Sequence, residues 1–386
     1  MLEEYFGKDL TEIGFTPPGM RPLPKPPATG RLEGPTAPST ATPSGEGDPT
    51  KRRNALALIG GTAMTPLFSP ESARAESVHA YTRHVSISAL APRDIEALEI
   101  EVHRLGSAYS AWTPEELWPV AATLRHQAAV MLAARHTLRQ GRELFRHAGM
   151  LSVLLAWVAH DLGRRDLVAA LCDDAWHHGQ EADAPEVCAW ADDAACTDAL
   201  YADQPLVALS AATRGLAIAP RNSNAAIRLS AQLARVRARI GDRDGFAEAA
   251  VRADGYRERV PLHGTGLFAV DAVRFSSFDA SSSIWLGDYR RASRSAQEAI
   301  GHYRGTAGPG LAPTRLAIAQ LDLALAQAGL GEPDEAMGTA RRALSDVRLV
   351  QAVRDRADQL RGGLLRRYPT SAHVTAFGEE LRGITA

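Results

Sequence analysis

The sequence predicts an all-α fold, and three features of its composition and pattern carry that prediction. Aromatic residues make up only 6% of the 386 residues while alanine is abundant, which favours closely packed helices over a β-sandwich. From Thr113 to the C terminus, apolar residues recur with helical spacing and no run alternates as a half-buried strand would. Five segments of this region also share one turn-and-helix pattern, so we expect a stack of helical hairpins.

The segment 315–344 shows the hairpin unit most clearly. Leu316 and Leu323 recur at helical spacing, and Gly331 then interrupts the helix. Pro333 starts the second helix, because a proline in the first turn loses no hydrogen bond. Small side chains on one face of the second helix let the two helices approach closely. One such pair leaves an apolar side uncovered, so it is expected to stack against another pair.

The residue that ends the first helix of each pair, here termed the anchor residue, aligns five units along the chain. The anchor residues are Gly163, Asp203, Gly241, Gly287 and Gly331. They are 38 to 46 residues apart, and small or apolar residues follow five, nine and twelve positions later. The pattern resembles the tetratricopeptide repeat (TPR), which has a period of about 34 residues and a Gly-Asp-Tyr turn like that at 287–289. We therefore predict a TPR-like α-solenoid; the alternative is five unrelated helical pairs in one globule.

Composition divides the chain into three parts. Residues 1–15 carry a short apolar helical stripe, and residues 16–77 are predicted to be a disordered, Pro-rich linker with one short apolar segment. Residues 78–386 are predicted to be the TPR-like domain. Its helix-start signals include Pro92 and the cap-like Thr113, and one or two helices past Val347 are expected to cover the end of the stack.

Residues 51–75 mimic a twin-arginine export signal. Arg52 and Arg53 precede an apolar run, and the sequence Ala73-Arg74-Ala75 has the spacing of a cleavage site. The run lies about fifty residues into the chain and is too short to span a bilayer. We therefore predict a cytoplasmic protein without a membrane segment, in which this stretch docks on the repeat domain; export is the alternative.

Charge is unevenly distributed along the repeats. Residues 173–203 contain nine carboxylates and no lysine or arginine, whereas residues 221–259 contain nine arginines and five carboxylates. The net charge of −2 gives no overall basic surface for nucleic acid. The two segments are interpreted either as solvated faces that complement each other between repeats or as parts of a charged groove.

No motif of catalysis, nucleotide binding or metal binding occurs, so we predict neither an enzyme nor a cofactor. The patterns GxxxxGK[ST], GxGxxG after a strand, HExxH and GxSxG are all absent. Cys172 and Cys196 fall at small-residue positions of the repeat and are predicted to be core. A metal site from Cys172, His177, His178 and Cys188 would lack any CxxC or HxxxH spacing.

Several phrases of the sequence resemble one family. These include RELFRHAGMLSVLLAWVAHDLG, GLAIAPRNSNAAIRLSAQLARVRARIGD, WLGDYRRASRSAQEAI and PTRLAIAQLDLALAQAGLGEPDEA. They are similar to actinobacterial transcriptional regulators that pair a helix-turn-helix of the XRE (Cro/C1) type with a long TPR-like domain. The resemblance covers roughly residues 90–383, and residues 1–15 resemble the last helix of the family's DNA-binding domain. It implies DNA binding only if a helix-turn-helix precedes this chain, because most of that domain is not seen here.

The resemblance also implies a ligand groove, because the first helix of each TPR pair lines the concave face. The positions that carry over are Trp157, His160, Asp161, Trp190, Asp193, Thr197, Tyr201, Arg228, Arg235, Arg239, Arg274, Ser277 and Ser281. On the third first helix, Leu229, Leu233 and Val236 are expected to pack and to leave the three arginines outside the core. These arginines would then bind an acidic group or a C-terminal carboxylate. The alternative is that Trp157 and Trp190 are core residues and the arginines are merely solvated.

We therefore predict a regulatory or sensor domain that acts by binding a peptide, a small molecule or a protein partner. Replacement of Arg235 and Arg239 by alanine is expected to leave stability nearly unchanged while weakening that binding. The main alternative is a stand-alone TPR-like interaction scaffold without DNA binding, which could form a homo-oligomer. An enzyme or an exported binding protein is a third possibility from another class.

Overall fold

The computed structural model describes residues 75–258, 266–270, 272–305, 313–345 and 349–385. The chain divides into two compact units, Met1–Ile87 and Ser88–Ala386. The described part of the first unit holds α1 (Ala75–Ser86). The described residues contain no β-strand, so the prediction of an all-α protein is confirmed. The predictions for residues 1–15, for the linker as far as residue 74 and for the export-like segment 51–74 lie outside the described residues.

The second unit contains fourteen helices in its described residues. They are α2 (Pro92–Ala108), α3 (Pro114–Ala133), α4 (Leu138–Asp161), α5 (Arg165–Glu181), α6 (Pro185–Tyr201), α7 (Pro205–Ile218), α8 (Asn224–Arg239), α9 (Arg243–Arg257), α10 (Ala272–Trp285), α11 (Tyr289–Gly305), α12 (Pro313–Leu330), α13 (Pro333–Leu344), α14 (Gln351–Arg367) and α15 (Ala372–Thr385). Six of these helices begin with proline, whose missing N–H costs no hydrogen bond there.

The predicted cap at Thr113 is also present. The Thr113 Oγ accepts a hydrogen bond from the Glu116 N–H at 3.1 Å, and the Glu116 carboxylate accepts one from the Thr113 N–H at 2.9 Å.

All five anchor residues have the left-handed backbone conformation. Their φ angles run from 58° at Asp203 to 93° at Gly331. At each turn the anchor N–H donates to the carbonyl three residues earlier at 3.0 to 3.3 Å, and the next N–H donates to the carbonyl five residues before itself at 2.8 to 3.0 Å. This pair of hydrogen bonds is the Schellman cap, which satisfies the last carbonyls of a helix. The sequence therefore located five copies of one turn, and a sixth of the same form occurs at Asp183 (φ 53°).

Two glycine-to-alanine replacements are expected to change stability in opposite directions. An added Cβ would meet no atom within 4 Å at either Gly287 or Gly301, so only the backbone decides the effect. Gly287 has φ 77°, where alanine is strained, so Gly287→Ala should lower the free energy of unfolding by about 1–2 kcal/mol. Gly301 lies inside α11, so Gly301→Ala should raise it by about 0.5–1 kcal/mol. Urea unfolding of both variants tests this; two effects of the same sign would contradict it.

Small buried residues bring the helices of each pair together. The predicted small positions of the second helices, such as Ala208, Ala212, Ala336 and Ala340, are all completely buried. Helices α5, α7, α9, α11 and α13 each pack on the helix that precedes them. The first helices lie side by side in chain order, α4 on α6, α6 on α8, α8 on α10 and α10 on α12.

Helix α14 closes this row of first helices into a ring. It packs on α12 and also contacts α4, which lies at the other end of the row. At that contact the side chain of Gln351 lies beside the turn residue Gly163. The inner face of the second unit is therefore enclosed by α4, α6, α8, α10, α12 and α14; the resemblance implied a concave groove lined by the first helices.

Stability is expected to fall at mildly acidic pH because of His147 on α4. Burial, helped by the charges of Arg146 and His103 and opposed by Glu99, lowers the pKa of His147 from 6.5 to about 4. The unfolded chain therefore binds a proton that the native chain excludes between about pH 6.5 and pH 4, so stability is lost as pH falls through this window. From pH 7 to pH 5 the free energy of unfolding should drop by about 2 kcal/mol more than in His147→Gln. Urea unfolding at both pH values measures this, and equal drops would refute it.

Candidate functional site

A cavity of about 150 Å³ lies inside the ring of first helices. Every helix of the ring contributes to its wall, and Tyr109, Leu267 and Tyr303 complete it. Ten of the thirteen predicted groove residues line this one cavity. They are Trp157, His160, Asp161, Thr197, Tyr201, Arg228, Arg235, Arg274, Ser277 and Ser281.

The other three predicted groove residues lie elsewhere. Trp190 is a core residue, 1% exposed, with its ring 5.4 Å from that of Phe268 in an edge-to-face arrangement. Asp193 is completely buried behind the cavity wall, where it pairs with an arginine. Arg239 forms an ion pair with Asp203 and does not line the cavity. Burial holds Trp190 away from this cavity, in the core position that the sequence analysis gave as its alternative, and an anchor carboxylate holds Arg239 away from it.

Arg228 is buried in an ion pair, so the prediction that it lies outside the core is wrong. Its Nη2 lies 3.0 Å from Asp193 Oδ2, and neither side chain is more than 1% exposed. Its Nη1 donates to the Leu267 carbonyl at 2.6 Å, and its guanidinium lies 4.8 Å from the Trp157 ring. The acidic repeat and the arginine-rich repeat therefore complement each other in the interior at this pair. One interpretation of the sequence had placed these charges on solvated helix faces.

Gln232 links this pair to Arg235. The Gln232 amide nitrogen donates to Asp193 Oδ1 at 3.2 Å and also to the Thr197 hydroxyl. Its amide oxygen accepts from Arg235 Nη1 at 2.8 Å. A chain of polar contacts thus runs from Arg228 to Asp193 by an ion pair, and from Asp193 through Gln232 to Arg235 by hydrogen bonds. It orients both guanidinium groups.

Arg235 is also buried, against the prediction, and it differs from Arg228 in having no carboxylate partner. It is 4% exposed, and its guanidinium lies 4.5 Å from the Phe278 ring and 5.7 Å from the Trp285 ring. Its Nε has no hydrogen-bond partner among the described residues. The double replacement of Arg235 and Arg239 by alanine was expected to leave stability nearly unchanged because both side chains would lie on the surface. That reason does not hold for Arg235, which is buried.

A second buried ion pair, Arg356 with Asp322, was missed from the sequence. Arg356 Nε lies 3.1 Å from Asp322 Oδ1, with side chains 1% and 0% exposed. Arg356 also donates to Gln359 at 2.8 Å, and its guanidinium lies 5.7 Å from the Tyr201 ring. This pair joins α12 to α14, the helix that closes the ring.

A repeated register could have located Asp322. Ten of the cavity residues lie 13, 9 or 6 positions before an anchor residue. They are Trp157, Thr197, Arg228, Gln232, Arg235, Arg274, Phe278, Ser281, Ile318 and Asp322. Applied to the fifth pair, this register would have given Ile318 and Asp322. It could not have given Arg356, because α14 follows the last anchor residue.

The opposite part of the wall is aromatic and polar. The Tyr109 hydroxyl donates to Asp161 Oδ2 at 2.6 Å. His160 Nδ1 lies 2.8 Å from Asp198 Oδ1, and its ring lies 5.3 Å from that of Tyr201. These contacts orient the rings that border the cavity.

The net pKa shift differs among the three buried arginines. Burial lowers the pKa of Arg228 and of Arg235. For Arg356 burial acts in the same direction, but the attraction of Asp322, with Tyr201 and Asp355, outweighs it and raises the pKa. Arg356 is therefore the one cation of the three whose charged form its surroundings favour.

Comparison with family models and with curated protein sequences found no match. No family model matches this chain, and no curated protein sequence is similar to it.

Within the described residues, no helix has the length and apolar character needed to cross a membrane. Those residues also contain no cluster of three or more histidine, cysteine, aspartate or glutamate side chains suited to a metal ion. Cys172 and Cys196 are core residues, as predicted, and burial raises the pKa of both thiols.

Proposed function

We propose that the second unit is a TPR-like α-solenoid whose inner face has closed into a ring. The cap occurs at the end of the first helix in all five pairs, and small or apolar residues follow it at the same spacing, which supports a true repeat. The side-by-side packing of α4, α6, α8, α10 and α12 supports the same interpretation. The longer spacing of 38 to 46 residues distinguishes this repeat from the standard TPR.

We infer that this unit is the ligand-binding, regulatory part of a cytoplasmic transcriptional regulator and acts by binding. The observation that carries the proposal is the cavity, because all six helices of the ring line it. A ligand held there would contact both ends of the ring at once, so its binding energy would depend on how α14 meets α4. A ligand that binds one arrangement of α14 and α4 more tightly than another shifts the equilibrium between the two arrangements. Such a shift couples ligand binding to an output. The resemblance to XRE-type regulators suggests that the output is transcription.

A protein-interaction scaffold is the second candidate, and exposed apolar residues favour it. Leu206 and Val207 at the start of α7 are 72% and 55% exposed, and Val251 on α9 is 72% exposed. A contiguous patch of exposed apolar side chains is a feature of protein-binding surfaces, and Leu206 and Val207 would form its centre. In this case the protein would act without any effect on transcription.

Complementation of a gene deletion in the host separates the two candidates. Deletion should change the transcript levels of a limited set of genes, and the wild-type chain should restore them. Arg235→Met should fail to restore them, whereas Arg341→Met should succeed, because Arg341 pairs with the exposed Glu380 and does not line the cavity. An unchanged transcript profile, together with a partner that binds wild type but not a Leu206→Asp variant, would replace the regulator with the scaffold.

A further inference from the structure

The buried charges along the cavity do not balance. Three arginines of its wall, Arg228, Arg235 and Arg356, are at most 4% exposed. Asp193 neutralises the first and Asp322 the third. No carboxylate of the described residues forms an ion pair with Arg235. Arg235 is therefore the one of the three that has no carboxylate of its own in contact, and the only carboxylate whose charge is seen to act on it, Asp322, is already paired with Arg356.

The remaining contacts of Arg235 do not replace a counter-ion. They consist of one hydrogen bond to the Gln232 amide oxygen and the faces of Phe278 and Trp285. A cation–π contact contributes about 0.5–2 kcal/mol, whereas burial of an ion costs several kcal/mol even after relaxation. The protein thus bears an energetic cost at this position that an anion in the cavity would remove.

Other buried polar atoms of the cavity residues also have no protein partner. Among the described residues, none supplies a hydrogen-bond partner for Trp157 Nε1, Ser277 Oγ, Thr314 Oγ1 or Arg235 Nε. All four residues line the same cavity. Buried polar groups are satisfied in the great majority of cases, so a cluster of unsatisfied ones around one cavity points to a polar ligand that satisfies them.

The size and lining of the cavity limit that ligand further. A volume of about 150 Å³ is comparable to the engineered cavity that holds one benzene molecule. Tyr109, Trp157, Tyr201, Phe278 and Tyr303 border the space, so an apolar or aromatic body fits beside the charge. A single missing charge matches a carboxylate, since a phosphate monoester carries about −1.5 to −2 at neutral pH.

We propose that this cavity binds a small organic carboxylate with a body about the size of one aromatic ring, and that Arg235 binds the carboxylate group. The proposal rests on the regulatory function inferred above and names the chemical class of its ligand. Arg228 and Arg356, whose charges Asp193 and Asp322 already balance, hold the wall around it. A free acid and the C-terminal carboxylate of a peptide share this chemistry, and the experiment separates them.

The test compares acids with their uncharged amides on the 386-residue protein. Benzoate, phenylacetate and the dipeptide Gly-Phe are titrated at constant ionic strength, beside benzamide, phenylacetamide and Gly-Phe amide, with melting temperature and calorimetry as readouts. At least one acid should bind ten-fold or more tightly than its amide, and inorganic phosphate should bind more weakly than that acid. Binding by the dipeptide alone would identify a peptide C terminus as the source of the carboxylate, and binding by benzoate or phenylacetate would identify a free acid.

Variants then test the role of Arg235. Arg235→Met should weaken binding of that acid by about 10- to 100-fold, the loss expected for one charged hydrogen bond. In the absence of the acid its melting temperature should equal or exceed that of wild type, because it removes an uncompensated buried charge. Arg341→Met should bind the acid as wild type does.

Three results would overturn the proposal. These are equal binding of every acid and its amide, absence of binding by all three acids, and wild-type acid binding by Arg235→Met. The acid and amide comparison uses the wild-type protein, so it decides the question even if the variant folds poorly. Failure here with a normal transcript response would leave the regulatory function standing with another ligand, whereas acid binding without a transcript response would refute regulation alone.

Discussion

Arg356→Met is expected to destabilise the protein by about 3–5 kcal/mol, the cost of breaking a buried ion pair from one side. Arg356 and Asp322 are both buried, so the variant leaves a carboxylate in the interior without its cation. The same replacement also loosens the helix that closes the ring, since Arg356 joins α14 to α12. Urea unfolding followed by circular dichroism measures the change.

Two controls separate this cause from a general effect of removing arginine. Arg341 forms a comparable ion pair with Glu380 at 2.7 Å, but both side chains are well exposed. Arg341→Met should therefore cost no more than about 1 kcal/mol. The double variant Arg356→Met with Asp322→Leu should recover most of the lost stability, because it removes the unpaired carboxylate as well. A double variant as unstable as the single one would show that the charge of Asp322 is not the cause.

Trp190→Ala is expected to cost about 3–5 kcal/mol, as for other large core truncations. The Trp190 ring is 1% exposed and packs on Phe268, and the Arg228 guanidinium lies 5.3 Å from it. Truncation removes this apolar contact and opens a cavity that the surrounding helices can fill only in part. The expected signature is a lower unfolding midpoint in urea.

Trp176 provides the matched control for that replacement. It is only partly buried, and the half-exposed Arg214 side chain lies 4.5 Å from its ring. Trp176→Ala should therefore cost about 1–2 kcal/mol, in proportion to the smaller area it buries. If Trp190→Ala cost no more than Trp176→Ala, Trp190 would belong to a binding surface, as the sequence first suggested, and not to the core.

The difference between the two tryptophans also explains where sequence reasoning about the site succeeded. Trp157 and Trp190 were both placed on the inner face of a first helix, and only Trp157 lines the cavity. Helical register gives the direction of a side chain, but the depth at which it lies depends on the neighbouring helix. For Trp190 the neighbours also include Phe268, which lies in the segment between α9 and α10 and has no counterpart in the repeat pattern.

The sequence by itself determined the helical class of this protein and the positions of its turns. Both depend on interactions within about five residues: proline in a first turn, the Thr113 and Glu116 cap, and the left-handed anchor residues. Such local contacts have the same geometry wherever the helices later pack. This is why five turns could be aligned correctly without knowledge of the tertiary structure.

Only the tertiary structure decided which arginines are buried and whether the inner face is open or closed. Arg228, Arg235 and Arg239 share one helical face, yet the first pairs with Asp193, the second has no carboxylate partner and the third pairs with Asp203. These outcomes depend on which groups face each arginine across the helix interfaces. Closure likewise depends on α14 meeting α4 after the small rotations of all intervening hairpins have accumulated. Burial and ring closure depend on how all the helices of the stack pack together, so no local sequence pattern predicts them.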